Sequence, residues 1–119
     1  MEQEKQRGVG NMDINPQQIF DELERLKEPL SEAEGNLAGL EGSRSSVKAI
    51  MMKKSGEQSL GGQEREANAS QEYLDHNQKI AEATRIRSLL KLEFAIAQMK
   101  FEAWRSEQAT SRNMDKFTR

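Results

Sequence analysis

The side chains of this chain that are best suited to binding a ligand are lysines and arginines. Many of them lie at regular spacing in its C-terminal third. On a helical wheel at about 100° per residue they fall between roughly 60° and 140° from Ile86, so they would line one face of a helix. These residues are Arg87, Lys91, Arg105, Arg112, Lys116 and Arg119, with Gln98 among them. Basic side chains in a row suit phosphate backbones, because each neutralised phosphate releases counterions. The pattern predicts a face that binds nucleic acid without sequence specificity.

A second basic cluster lies in "SRSSVKAIMMKKSG", where Lys48, Lys53 and Lys54 stand in a stretch without acids between Glu41 and Glu57. We expect these lysines to add phosphate contacts. Two other interpretations stay open for the basic residues. They can form a solvated face, or they can pair with the acid-rich helix predicted over 19–41.

Side chains for catalysis or metal binding are sparse. His76 is the only histidine, the chain has no cysteine, and Asp75 adjoins His76 in sequence rather than on the same helical face. A metal site needs more ligands than this. The glycines of "GVG" and "SLGG" lack the Gly-Lys-Ser/Thr that would follow in a phosphate-binding loop. The sequence predicts a non-enzymatic protein with no metal and no cofactor.

The element that must position the C-terminal basic face is a long helix over 70–119. No Pro or Gly follows Ser70, and the prediction is clearest from about Ser70 to about Ser111. We expect its N-cap at Asn68 or Ser70, with Asn68 and Gln71 forming a capping box.

This helix carries two adjacent apolar rows, each with spacings of 3 and 4. Together they span an arc of roughly 220°, whereas an ordinary surface helix shows a stripe only somewhat wider than ~100°. Two rows suit contacts with two neighbours, so we expect a homo-oligomer interface here. The alternative is that helices of the same chain fill both rows. The predicted interface residues are Leu89, Leu90, Leu92, Phe94, Ile96, Ala97, Met99, Phe101 and Trp104.

Residues 15–54 predict an amphipathic helical segment that turns from acidic to basic. Asn15 suits the N-cap and Pro16 the first helical position. Apolar residues then alternate at spacings of 4 and 3 from Ile19 to Met51, apart from Arg44, which is a heptad pattern. Pro29 should kink or split the helix. The heptads suit packing within the chain as well as an intermolecular coiled coil.

The remaining segments and the composition complete the expected architecture. Residues 1–14 predict a disordered tail and residues 55–69 a flexible hinge. Hydrophobic residues make up 34% and charged residues 32%, against a typical apolar share of roughly 45–50%. We therefore expect an all-α helical hairpin or bundle that oligomerisation completes.

Cysteine content, hydropathy and charge indicate the cellular location and the kind of partner. The absence of cysteine, and of any apolar run near the ~18–20 residues of a membrane span, predicts a soluble cytoplasmic protein without a membrane partner. Residues 1–41 hold four Lys/Arg and ten Asp/Glu, a balance of −6, whereas residues 42–119 hold fourteen and ten, a balance of +4. Such asymmetry suggests self-association or a polyanionic partner.

The layout of residues 44–119 resembles the UvsY-like recombination mediators of tailed phages. The features concerned are the basic "VKAIMMKKSG", the polar hinge, the long amphipathic helix and the ending "SRNMDKF". The resemblance implies oligomerisation through the C-terminal helix, single-stranded DNA binding, and a recombinase or single-strand-binding protein as partner in a bacterial cell. The acidic segment 19–41 has no counterpart in that family, which leaves open another kind of phage helical protein.

Two functional hypotheses follow. The first is an oligomeric accessory protein that binds the single-stranded DNA backbone in recombination or replication. The second is a coiled-coil adaptor or inhibitor whose acidic helix over 19–41 binds a host or virion protein.

Overall fold

The structure, a computed structural model, describes residues 15–118, with side chains through Phe117; the predicted disordered tail over 1–14 and Arg119 lie outside it. Four helices follow in order: α1 (Pro16–Gly42), α2 (Arg44–Lys54), α3 (Leu60–Ala69) and α4 (Gln71–Thr118). They take up 92% of the described residues, among which there is no strand. The predicted all-α class with a long C-terminal helix is confirmed.

Local side-chain chemistry sets where the first and last helices begin. The Asn15 carboxamide oxygen accepts hydrogen bonds from the backbone N–H groups of Gln17 (2.9 Å) and Gln18 (3.4 Å), as expected of an N-cap. Helix α4 is capped by Ser70, whose hydroxyl accepts from the Tyr73 N–H at 3.3 Å. The capping box predicted at Asn68 is wrong, because Asn68 still lies inside α3.

Helix α1 continues through Pro29 rather than splitting there. A proline removes one backbone hydrogen bond, and buried Leu26 and Leu37 hold the helix on either side of it. The break comes instead at Ser43, whose hydroxyl donates to the carbonyl oxygens of Gly39 (3.0 Å) and Leu40 (3.2 Å). The Gly39 carbonyl also accepts the helical hydrogen bond from the Ser43 N–H (3.1 Å). The Leu40 carbonyl is therefore the acceptor at the end of α1 for which the Ser43 hydroxyl replaces a helical partner.

The segment for which the sequence predicts a flexible hinge contains helix α3. The Ser59 hydroxyl accepts from the Gly62 N–H at 3.0 Å and caps this helix. Helix α3 packs against α2, and its Ala67 is fully buried. The cap and the helix-forming residues "QEREANA" outweigh the two glycines at the start of α3, so only residues 55–59 are non-helical.

Two glycines of this region should respond oppositely to alanine. Gly56 holds a left-handed φ of 77° just after α2, so Gly56→Ala should lower the free energy of unfolding by about 1–2 kcal/mol. Gly61 lies in α3 with open space around its Cα, so Gly61→Ala should raise it by about 0.5–1 kcal/mol. Chemical denaturation measures both changes. A stabilising Gly56→Ala would contradict the left-handed conformation.

Contacts divide the chain into two compact units. In the unit formed by residues 28–91, Leu37, Ile80 and Ala83 make a small buried core, with Leu40 packed against it. The Leu40 carbonyl oxygen lies 2.7 Å from the His76 Nε2. A carbonyl only accepts, so Nε2 carries the proton and donates it. His76 thus serves as a cap at the end of α1, which runs antiparallel to α4 in this unit.

The other unit comprises residues 15–27 and 92–118. Here too α1 and α4 are antiparallel, because Phe20 meets Phe101 (ring centroids 5.1 Å apart) whereas Arg25 meets Glu93 (3.9 Å). Ile19 and Leu26 on α1 and Ala97 on α4 are buried. In each unit the heptad row of α1 packs within the chain, which is one of the two arrangements that its spacing allowed.

Candidate binding surfaces on helix α4

One of the two apolar rows of α4 is covered by the chain itself. In the unit of residues 15–27 and 92–118, Ala97 is buried and Phe94, Phe101 and Trp104 are half-buried. The Phe101 ring lies between the rings of Phe20 and Trp104, 5.9 Å from the latter. Leu90, which belongs to the unit of residues 28–91, is also half-buried. This row is the site of intrachain packing.

The other apolar row of α4 is open to solvent. Leu92 is 58% exposed, Ile96 43% and Met99 69%; Leu89, in the unit of residues 28–91, is 48% exposed. The described part of the chain therefore fills one row and leaves the other without a partner. Ala103, the next residue at this spacing, is half-buried. We call Leu92, Ile96, Met99 and Ala103 the open row, after its three exposed members.

The basic side chains near the end of α4 lie on a fully exposed stretch of helix. Every side chain from Arg105 to Phe117 is exposed. Arg105 pairs with Glu102 (3.4 Å) and its guanidinium lies 6.0 Å from the centroid of the Phe101 ring. Arg112 and Lys116, seven and eleven residues further on, share the face of Arg105. Among residues 15–117, neither makes an ion pair.

The other predicted phosphate ligands lie in the unit of residues 28–91. Lys53 and Lys54 are exposed in the last turn of α2, where the helix dipole favours cations. Lys91 is exposed and Lys48 half-buried. Arg87 is half-buried, and its Nε is buried with no hydrogen-bond partner in the described part of the chain. Arg87 thus presents less of its cation to solvent than the wheel suggested.

The acid-rich helix α1 does not neutralise these cations. The ion pair that joins α1 to α4 runs in the opposite sense, from Arg25 to Glu93. Glu82, within α4, is paired with Arg85 (2.6 Å), and this arginine lowers the pKa of the Glu82 carboxyl. In the described residues, the predicted phosphate ligands make no ion pair with an acid of α1.

Two residues of α4, Gln98 and Lys100, have surroundings that the helical wheel does not predict. Gln98 lines an open groove of about 620 Å³ that lies between the N-terminal half of α1 and the middle of α4. Phe20, Leu23 and Phe94 also line it. Gln98 therefore faces α1, although its side chain is exposed. Lys100, which the wheel placed outside this face, is exposed and unpaired among the described residues.

Within residues 15–118, no group of three or more His, Cys, Asp or Glu side chains is placed to hold a metal ion, and no helix is long and apolar enough to cross a membrane. No protein family, curated protein or solved structure matches this chain.

Proposed function

We propose that this protein is a non-enzymatic, oligomeric helical accessory protein that binds the backbone of single-stranded DNA in the cytoplasm of a bacterial cell. The observation that carries the proposal is the fully exposed end of α4, where Arg112 and Lys116 share a face and make no ion pair among the described residues. A recombinase or single-strand-binding protein remains the partner implied by the resemblance to UvsY-like mediators.

Backbone contacts rather than base stacking would supply the affinity. Phe101 and Trp104 are occupied by packing against α1 and against each other. Phe117, at 91% exposure, is the aromatic side chain of the basic stretch that is open for a base. Each chain would contribute few phosphate contacts, so several chains on one strand would be needed for tight binding.

Fluorescence anisotropy with a labelled single-stranded oligonucleotide tests the proposal. With about three phosphate contacts per chain, at a slope of about −0.7 each, binding should weaken about 20-fold between ~50 and ~200 mM salt. The double variant Arg112→Ala/Lys116→Ala should bind more weakly and should reduce the magnitude of the salt slope by about 1.4.

The matched control is Arg65→Ala/Lys79→Ala, which removes two exposed cations elsewhere and changes the net charge equally. This control should leave the salt slope unchanged. The proposal fails if no binding occurs at ~50 mM salt, where backbone contacts are strongest, or if the control weakens binding as much as the test variant.

A second candidate function is supported by the acidic face of α1. Glu28 and Glu32 are exposed and make no ion pair with the described residues, which suits an adaptor or inhibitor that docks a basic partner protein. Reversing Glu22, Glu24, Glu28 and Glu32 to Lys separates the candidates when oligonucleotide binding is measured by anisotropy and partner capture by pull-down from a cell lysate. A DNA-binding protein should bind the oligonucleotide more tightly after reversal, whereas an adaptor should lose its protein partner.

A further inference from the structure

The open row of α4 has the spacing of a coiled-coil seam. Leu92, Ile96, Met99 and Ala103 follow one another at intervals of 4, 3 and 4, and the same spacing continues through Ser106 and Thr110. The row packed on α1 contains Ala97 and Phe101, which occupy the positions between those of the open row. Two helices can therefore contact α4 at once without competing.

Charges along one edge of the open row indicate what covers it. In heptad terms, Ile96 and Ala103 are a positions and Leu92 and Met99 are d positions, which places Glu93 and Lys100 at successive e positions. Lys100 has no ion pair among the described residues, and Glu93 has only a 3.9 Å contact with Arg25, which is 63% exposed. The e-position edge of the open row thus carries one acid, Glu93, and one base, Lys100, seven residues apart. A second helix of the same sequence can pair with both.

We propose that a second copy of this chain covers the open row, with the two α4 helices antiparallel. Ile96 of each copy then lies opposite Met99 of the other, and Leu92 opposite Ala103. In an antiparallel pair the e positions face each other, so Glu93 of each copy meets Lys100 of the other. The two-fold axis generates this ion pair twice.

The neighbouring arrangements place like charges together. Sliding the antiparallel helices by one heptad brings either Glu93 against Glu93 or Lys100 against Lys100. A parallel, in-register pair brings Glu102 of one copy beside Glu107 of the other. Sliding by two heptads pairs Lys100 with Glu107 but moves the contact onto Ser106 and Thr110. Of these arrangements, only the proposed register places apolar residues opposite apolar residues and also places opposite charges together.

The inference rests on the oligomeric part of the proposed function and is independent of DNA binding. Sedimentation equilibrium without nucleic acid should show a dimer. Met99→Glu should weaken dimerisation by at least about tenfold, since it buries a charge in the seam. The control Leu60→Glu changes a similarly exposed apolar residue on α3 (65%) and should leave the dimer intact. A wild-type monomer would overturn the inference and the oligomeric proposal, while leaving the anisotropy result to decide DNA binding.

A charge swap tests the register. Glu93→Lys and Lys100→Glu should each weaken dimerisation by about fivefold, because each creates two like-charge contacts. The double variant restores opposite charges and should return the dissociation constant to near that of the wild type. Failure of the double variant to recover dimerisation would overturn the register.

Disulfide trapping tests the direction, since the chain has no cysteine of its own. In the proposed dimer, Leu92 lies opposite Ala103, so a mixture of Leu92→Cys and Ala103→Cys chains should form a mixed disulfide on oxidation. The two Leu92 positions are separated by about eleven residues, or roughly 16 Å along the helix, far beyond disulfide reach. Efficient self-crosslinking of Leu92→Cys would show a parallel pair and overturn the inference.

Discussion

Replacing Leu26 with alanine should lower the free energy of unfolding by about 3–4 kcal/mol, because it removes a fully buried side chain and leaves a cavity. Leu26 is 0% exposed and is the largest side chain that is fully buried in the described part of the chain. A chain with so small an apolar share has little other packing with which to compensate. Urea denaturation followed by circular dichroism measures the change.

Leu60→Ala is the matched control for this substitution. Leu60 has the same chemistry but is 65% exposed on α3, so its loss should change the free energy of unfolding by less than about 0.5 kcal/mol. Equal effects of the two substitutions would contradict the packing of α1 against α4. Because Leu26 does not belong to the open row, Leu26→Ala should weaken folding without a specific effect on the dimer contact.

The second large effect is expected at Phe101. Its ring lies 5.1 Å from the Phe20 ring and 5.9 Å from the Trp104 ring, centroid to centroid, so it joins α1 to the end of α4. Phe101→Ala should lower the free energy of unfolding by about 2–3 kcal/mol, less than for a fully buried phenylalanine because the residue is half-buried. Trp104 fluorescence should shift to longer wavelength, because the Phe101 ring no longer shields the indole from water.

Phe117→Ala serves as the control on the same helix. Phe117 is 91% exposed, and its removal should leave both stability and Trp104 fluorescence unchanged. If Phe117→Ala altered Trp104 emission as strongly as Phe101→Ala, the aromatic contacts that we describe would not be those that hold this part of α4. A loss of oligonucleotide binding without a loss of stability would instead be consistent with base stacking by Phe117.

Features that depend on neighbouring residues could be predicted from the sequence. The Asn15 cap and the length of α4 follow from side chains and backbone preferences within a few residues of each position. Of the two outcomes that Pro29 predicts, a kink or a split, the split does not occur, because packing on both sides of Pro29 keeps the helix continuous. The sequence predicts a flexible hinge over 55–69 because its glycines weaken a helix, whereas the Ser59 hydroxyl caps α3.

For the candidate binding surfaces too, the sequence predicts what depends on helical periodicity and not what depends on contacts with another helix. The wheel correctly identified Arg112 and Lys116 as neighbours on one face, since that depends only on helical periodicity. It could not show that Gln98 lines a groove against α1 or that Arg87 is half-buried, because both depend on another helix. Lys100 becomes a candidate contact residue because it flanks the open row, which only the packing of α4 defines.

Periodicity along one segment is enough to predict that this protein is helical, and that α4 carries two apolar rows and a basic face. Periodicity does not predict which of the two rows packs within the chain. Both rows are apolar and similarly spaced, so periodicity cannot rank them. The choice depends on contacts between residues some seventy to eighty positions apart, such as Phe20 with Phe101 and Arg25 with Glu93. Those contacts cover Ala97 and leave Met99 open to solvent.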